Sequence, residues 1–282
     1  MIAAVKKNEA LLNEVREYEQ DDSDFHIWWL GQSGYLLLWQ GKKILIDPYL
    51  SDSLTKKYAN TNKQHIRMSE RVMDPALLRD IQIVSSSHNH TDHLDAETLI
   101  PLIQHNPGIQ FIIPEANRTF VADRIQMPSP FPVGLTEDES ITIGDFIFYG
   151  IAAAHNAIDR DENGRCKYLG FIIRFGKWTI YHSGDTLWYE GLAEKLSSFN
   201  IDLALLPING NDPSRGVAGN LDTDEAAKLA SVSRIKHVIP CHYNMFTFNT
   251  ADPEIFAEKA ILYKQAYTVL PHGGHWSSRQ LL

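Results

Sequence analysis

The stretch Ser87-His88-Asn89-His90-Thr91-Asp92-His93-Leu94-Asp95 places three histidines and two aspartates within nine residues. It follows an apolar run at 81–84, which predicts a strand that ends at the motif. Because side chains alternate along an extended chain, we expect His88 and His90 to point to the same side. A turn into a helix would bring Asp92 and His93 back from another direction. Imidazoles and a carboxylate suit Zn²⁺ or Mn²⁺, so the stretch predicts the two halves of a two-metal site; the alternative is a polar, solvated loop.

Composition places the chain among globular proteins. Its 282 residues are 44% hydrophobic and carry a formal net charge of −9, so it can bury a large core as one big domain or two smaller ones. We expect a single domain over 1–282 with an amphipathic N-terminal helix at about 1–22, which can pack on its own core or on a second subunit of a homo-oligomer. No apolar run approaches the roughly 20 residues that span a bilayer.

The N-terminal segment and the cysteines bear on location. Residues 1–22 lack the continuous apolar core of a signal peptide. Cys166 and Cys241 give neither a disulfide framework nor a metal-binding spacing. The sequence therefore predicts a cytoplasmic protein that binds no membrane, and its acidic balance argues against nucleic acid as a partner. An anionic small molecule held by a local basic pocket remains compatible with that charge.

Strand and helix patterns alternate along most of the chain. The predicted helices are 96–105, 115–125, 223–232 and 253–264, with Asp95 and Asp222 as caps. The predicted strands are 25–30, 35–39, 43–48, 81–84, 109–113, 140–143, 146–153, 168–175, 178–182, 201–206, 237–241 and 267–270. Taken alone, this pattern indicates an α/β or α+β fold.

Residues 49–74 interrupt the alternation with a polar, lysine- and arginine-containing segment. The segment is either a solvated surface loop or a loop that covers the substrate and supplies positive charge.

The histidine-aspartate motif resembles that of the metallo-β-lactamase superfamily. The resemblance implies a four-layer αββα sandwich and three further metal ligands, each just after a strand, for which His155, Asp185 and His242 stand in the expected places. It implies that one metal is held by His88, His90 and His155, that a second is held by Asp92, His93 and His242, and that Asp185 bridges both. Any one of these residues alone would be weak evidence.

Two divalent ions of manganese or zinc that share a water would lower its pKa, so that hydroxide becomes available near neutral pH. This hydroxide can attack a carbonyl or phosphoryl centre. We expect Asp92 and Asp185 to be catalytic as well as metal-binding, with Asp92 holding and transferring a proton. His182 is either a partner of the ligands or an oxyanion donor; the alternative is a surface histidine at a strand end.

Further blocks at 28–34, 181–185, 240–242 and 251–253 resemble the L-ascorbate-6-phosphate lactonases. This resemblance implies an enzyme that opens a phosphorylated sugar-acid lactone. Arg215, in a block that also resembles these enzymes, is our candidate for binding an anionic group, because its planar guanidinium suits phosphate or carboxylate. The alternative is a loop arginine paired with a surface acid. His272 is a second candidate for substrate contact, because the two glycines between His272 and His275 could form a loop that lines the site after the last predicted strand.

Two other functions stay open. A phosphodiesterase related to N-acyl-phosphatidylethanolamine phospholipase D carries a similar motif, and it would need an apolar channel for an acyl chain. A non-enzymatic, metal-binding relative is the third reading, although all seven expected ligands are present. The remaining histidines outside the blocks are interpreted as surface or packing residues: His26, His65, His105 and His237.

Overall fold

A computed structural model describes residues 1–281 of the protein. Its strands are β1 (Phe25–Gly31), β2 (Gly34–Trp39), β3 (Lys42–Ile46), β4 (Ile81–Ser85), β5 (Gln110–Pro114), β6 (Pro132–Leu135), β7 (Ser140–Ile143), β8 (Phe146–Ala152), β9 (Leu169–Phe175), β10 (Trp178–His182), β11 (Leu203–Pro207), β12 (His237–Cys241) and β13 (His275–Ser277). Its α-helices are α1 (Glu9–Glu17), α2 (Ser53–Tyr58), α3 (Ala96–His105), α4 (Arg118–Arg124), α5 (Leu192–Ser197), α6 (Thr223–Val232) and α7 (Pro253–Leu262).

The strands form two mixed sheets. The first has seven strands in the order β13-β1-β2-β3-β4-β5-β6, antiparallel from β13 to β3 and parallel from β3 to β6. The second has six strands in the order β12-β11-β10-β9-β8-β7, parallel from β12 to β10 and antiparallel beyond. Within each sheet, neighbouring parallel strands end at the same edge: β3 and β4 in the first sheet, and β10, β11 and β12 in the second. The loops that follow these strands can therefore meet and form a site.

Alternation along β1 shows how the layers are made. Phe25, Ile27 and Trp29 lie in a core shared with the second sheet, whereas Trp28 and Leu30 lie in a separate apolar cluster on the outer face of the first sheet. Every residue of β1 is buried, as expected for a strand covered on both faces. Helices α1, α3 and α4 cover the outer face of the first sheet, and α5, α6 and α7 pack against the second. The predicted four-layer αββα sandwich is confirmed.

Several predicted elements match the structure closely. Strands β7, β10 and β12 and helix α6 have the predicted bounds. The N-terminal helix is shorter than predicted, at Glu9–Glu17, and buries Leu11 and Val15 against the outer face of the first sheet. The single domain over 1–282 stays a prediction, and its last residue lies outside the described part. Among residues 1–281, no helix combines the length and apolar character that a bilayer crossing requires.

The predicted strand at 267–270 is wrong. Tyr267 makes only an isolated bridge to Val238, flanked by hydrogen bonds between Val238 and residues 266 and 268. Pro240 has no N–H to continue this parallel ladder, so the pairing stops after one residue. The last strand is instead β13, which pairs with β1. The short elements β6, α2 and α5 were also missed, because four to six residues carry too little periodicity.

Helix α6 begins with a complete capping box. The Asp222 carboxylate accepts from the Glu225 N–H at 2.8 Å, and the Glu225 carboxylate accepts from the Asp222 N–H at 3.1 Å. We predict that Asp222→Ala lowers the free energy of unfolding by about 1 kcal/mol, because one N–H at the helix start loses its acceptor. Urea denaturation measures this change. Asp222→Asn keeps an acceptor and should stay close to the wild type; an equal loss in both variants would contradict the capping role.

Candidate metal centre

The motif loop is built by turns and not by an extended strand. Strand β4 ends at Ser85, before the first motif histidine. The N–H groups of His93 and Leu94 both donate to the His90 carbonyl, at 3.1 and 2.7 Å, and the Ser86 hydroxyl donates to the His93 carbonyl at 2.6 Å. The predicted reason for the proximity of His88 and His90, strand alternation, is therefore wrong. A compact turn brings their rings together instead, with centroids 4.7 Å apart.

His88, His90 and His155 form a first cluster, in which one potential ligand atom of each residue lies within 4.8 Å of the others. His155 follows β8, and its Nε2 lies 3.2 Å from Nδ1 of His90. Its Nδ1–H donates to the Gly219 carbonyl at 2.9 Å, which fixes the ring and leaves the lone pair of Nε2 free to bind a metal ion. The second sheet thus delivers one member of this cluster, and the motif loop delivers two.

Asp92, His93 and His242 form a second cluster under the same distance limit. Oδ2 of Asp92 lies 3.7 Å from Nε2 of His93 and 3.5 Å from Nε2 of His242. His242 follows β12 directly. The two clusters therefore lie side by side at the carboxyl ends of strands from both sheets.

Asp185 lies between the two clusters. Its carboxylate oxygens are 3.3 Å from Nε2 of His93, 3.6 Å from Nε2 of His242 and 3.8 Å from Nε2 of His155. It also groups with His88 and His93 as a possible metal-binding set. One carboxylate thus lies close to nitrogen atoms of both clusters, as the bridging position requires.

The donor atoms fit divalent cations. Nε2 of His88, Nε2 of His93 and Oδ1 of Asp185 are buried and lack a hydrogen-bond partner among the described residues, although an unpaired buried polar atom is costly. Ligand atoms about 2.1 Å from a tetrahedral ion lie about 3.4 Å apart, close to the separations around Asp185. Imidazole and carboxylate donors without a thiolate suit zinc, manganese or iron.

The electrostatics of the cluster also favour a bound cation. Burial and neighbouring histidines hold the pKa of His88 well below its usual value. Burial lowers the pKa of His242, but the charge of Asp185 and hydrogen bonds to Asp185 and Asp92 outweigh it and raise that pKa to about 9. Burial likewise opposes the protonation of His93, but Asp185 and Asp92 raise its pKa well above the usual value. Two buried carboxylates thus need positive charge nearby, which a metal ion can supply in exchange for protons.

Two residues that sequence reasoning did not assign contact the candidate ligands. Asp47 accepts a hydrogen bond from Nδ1–H of His93 at 2.6 Å and from the Ser87 N–H at 2.8 Å, and it also contacts the Ser87 hydroxyl. It follows β3, the neighbour of β4, and its signal in the sequence is limited to an acidic residue directly after the apolar run at 44–46. Gln32, in the turn between β1 and β2, contacts Asp92 and His242.

His182 lies below the cluster and not in the cavity. Its Nε2–H donates to the Ser33 carbonyl at 2.9 Å, and its Nδ1 accepts from the Gly184 N–H at 3.2 Å. Both ring nitrogens contact backbone groups, which leaves no N–H for an oxyanion and agrees with the other alternative, a partner of the candidate ligands; the buried ring is not a surface histidine. His182 instead holds the turn that carries Asp185.

The two predicted substrate contacts do not reach the cavity. The Arg215 guanidinium donates to the Asn249 side chain at 2.6 Å and to the Asn209 carbonyl at 2.9 Å, so it orders neighbouring loops. His272 is 2% exposed and stacks on Trp29 with ring centroids 4.3 Å apart. Neither side chain is among the residues that line the cavity above the clusters.

The cavity has a volume of about 520 Å³, and its lining includes His90, Asp92, His155, Asp185 and His242. Its outer wall comes from the segment at 49–74, from α4, and from residues 216–218; the side chains involved include Leu54, Lys57, Tyr58, Lys63, His65, Phe120 and Arg124. The interpretation of His65 as a surface or packing residue is therefore incomplete, because it forms part of this wall.

Comparison with known proteins agrees with the geometry. Residues 26–242 match the family described as the Beta-lactamase superfamily domain. A UPF0173 metal-dependent hydrolase of Nanoarchaeum equitans is 30% identical over 195 residues, which cover 67% of this chain and 83% of that protein. The chain belongs to the UPF0173 metal-dependent hydrolases of the metallo-β-lactamase superfamily.

Other members of this family and fold extend the likeness. A UPF0173 metal-dependent hydrolase of Pyrobaculum neutrophilum is 27% identical over 252 residues, 87% of this chain and 96% of that protein. The structure of Igni18, a metallo hydrolase from the archaeon Ignicoccus hospitalis, superimposes with a TM-score of 0.66 at 20% identity and covers 90% of this chain and 98% of Igni18. At that identity the superposition supports the fold alone.

We predict that Asp47→Asn weakens metal binding by about 10- to 100-fold, because His93 loses the carboxylate that orients its ring and makes it more basic. Isothermal titration of the metal-free protein with Zn²⁺ measures the affinity. Asp52→Asn is the matched control, because Asp52 binds Arg67 at 2.6 Å and is not among the residues of either cluster. Unchanged zinc affinity in Asp47→Asn would contradict the role of this hydrogen bond.

Proposed function

We propose that this hydrolase is a lactonase for a small anionic substrate, and that a phosphorylated sugar-acid lactone such as L-ascorbate 6-phosphate is the first candidate. The observation that carries the proposal is a set of three cationic side chains beside the metal-binding clusters: Lys57, Lys63 and Arg124. In a chain of net charge −9, such a local group of cations favours an anionic substrate.

The contacts of these cations leave their charge uncompensated. Lys57 donates to the Thr91 hydroxyl at 3.3 Å, Lys63 donates to the Gly216 carbonyl, and Arg124 donates to the Asn89 carbonyl at 2.7 Å. These acceptors are neutral, and none of the ion pairs within residues 1–281 involves the three side chains. A phosphate or carboxylate of the substrate would provide the missing charge.

Divalent ions bound by the two clusters would activate water and polarise the acyl oxygen of the substrate. Water adds to the acyl carbon, the ring C–O bond breaks, and the ring oxygen takes the proton, so that a hydroxy acid forms. Asp92 is the more exposed of the two cluster carboxylates, with 16% of its side chain accessible against 4% for Asp185. We assign proton transfer to Asp92, and the bridging of the two clusters to Asp185.

The alternative is a phosphodiesterase related to N-acyl-phosphatidylethanolamine phospholipase D. Such an enzyme needs a continuous apolar surface for acyl chains. The aliphatic and phenylalanine side chains in the wall are dispersed among polar and charged groups: Leu54, Phe120, Val217 and Ala218. This lining gives the alternative no support, so we keep it as an outcome of the test. A cytoplasmic location and a homo-oligomer also stay predictions.

Ring opening of L-ascorbate 6-phosphate by protein loaded with Mn²⁺ or Zn²⁺ tests the proposal. We expect metal-dependent turnover that is lost in Asp185→Ala, because both clusters lose their shared carboxylate. Lys57→Ala combined with Lys63→Ala should raise KM for the phosphorylated lactone at least about tenfold, since charge-assisted hydrogen bonds are lost, and should change KM much less for the unphosphorylated lactone.

Lys177→Ala is the matched control, because Lys177 packs over Trp178 and is not among the residues that line the cavity. Efficient hydrolysis of bis-p-nitrophenyl phosphate without lactone turnover would favour the phosphodiesterase. Lactone turnover that persists in Asp185→Ala would contradict the assigned site.

A further inference from the structure

We propose that Gln32 is a positioning residue that sets the affinity of the second cluster, Asp92, His93 and His242, for its metal ion. The proposal rests on the metal site of the proposed function but not on the identity of its substrate. It concerns the unequal support of the two clusters, which neither the motif nor the family membership specifies.

The backbone of Gln32 is tied to the second cluster. The residue lies in the turn between β1 and β2, with a φ of 52°, and is 4% exposed. Its carbonyl accepts from the His242 N–H and from the Trp29 indole N–H, both at 3.0 Å. These two buried donors thus fix the position of the turn relative to His242, although Gln32 and His242 are 210 positions apart in the chain.

The side chain of Gln32 contacts two members of the same cluster. Its amide nitrogen donates to Oδ2 of Asp92 at 2.9 Å. The same nitrogen lies 3.0 Å from Nε2 and 3.3 Å from Nδ1 of His242. A neutral imidazole has a single in-plane lone pair, and an atom at nearly equal distances from both ring nitrogens does not lie along it. The amide therefore packs against the ring and leaves the lone pair of Nε2 to a metal ion.

These contacts are selective for the second cluster. Oδ2 of Asp92 is the oxygen that faces both His93 and His242, so Gln32 orients the atom that would bind the metal. The first cluster is held by a different contact, from His155 to the Gly219 carbonyl. Loss of the Gln32 amide should therefore affect one metal and spare the other.

The test is stepwise Zn²⁺ binding to the metal-free chain of 282 residues. Isothermal titration against a competing chelator and the metal content after dialysis measure the two binding steps. Gln32→Met keeps the length of the side chain and removes the donor. We expect the first binding step to be unchanged and the second to weaken by about 10- to 100-fold, the usual effect of losing a group that orients a ligand.

Gln265→Met is the matched control. Gln265 is another buried glutamine, 6% exposed, and its amide donates to the carbonyls of Ile235 and Ala266. This variant loses a comparable buried amide away from the clusters and should keep both binding steps, even if it lowers the unfolding temperature.

Three results would overturn the assignment of Gln32: an unchanged second step, an equal weakening of both steps, or a tighter second step, which would mean that the amide competes with the metal. A wild-type protein that binds no zinc would reject the metal site itself along with the assignment. Zinc binding as expected without lactone turnover would leave Gln32 in its role and reject only the proposed substrate.

Discussion

The rest of the site depends on the contacts of one buried carboxylate, that of Asp185. It stands within 4 Å of imidazole nitrogens that arrive from three separate strand ends, those of His93, His155 and His242. A charged carboxylate at 4% exposure requires compensating positive charge. The two sheets must therefore pack so that the carboxyl ends of these strands lie on the same side of the molecule. The core between the sheets, which is rich in aromatic residues, provides rigid support for that arrangement.

The groups that contact the candidate ligands lie in loops that follow neighbouring strands. Asp47 after β3 fixes His93, the Gly219 carbonyl fixes His155, and Gln32 after β1 contacts Asp92 and His242. Each support lies far along the chain from the ligand that it holds. The site is thus an assembly of distant loops, each positioned by a strand of one of the two sheets, and the cavity wall at 49–74 is added on top of it.

The sequence indicates which residues form the two clusters, but it does not indicate the groups that contact those residues. His88, His90, Asp92 and His93 are recognisable because their order within one loop is unusual and suits metal chemistry. Asp47 and Gln32 escaped assignment because hydrogen bonds across 46 and 60 residues leave no local pattern. The prediction that Arg215 contacts the substrate failed for the same reason. An arginine suits an anion, but the guanidinium of Arg215 donates to the Asn249 side chain and to the Asn209 carbonyl. The fold followed from the alternation of long strands and helices, whereas elements of four to six residues depended on tertiary contacts.

We expect two metal ions, one on each side of Asp185. Anomalous diffraction from crystals grown with Zn²⁺ would locate them. Two peaks are expected about 3.5–4 Å apart, one beside His88, His90 and His155 and the other beside Asp92, His93 and His242, with the Asp185 carboxylate in contact with both. A single peak remote from Asp185, or no ordered zinc in either cluster, would contradict this expectation.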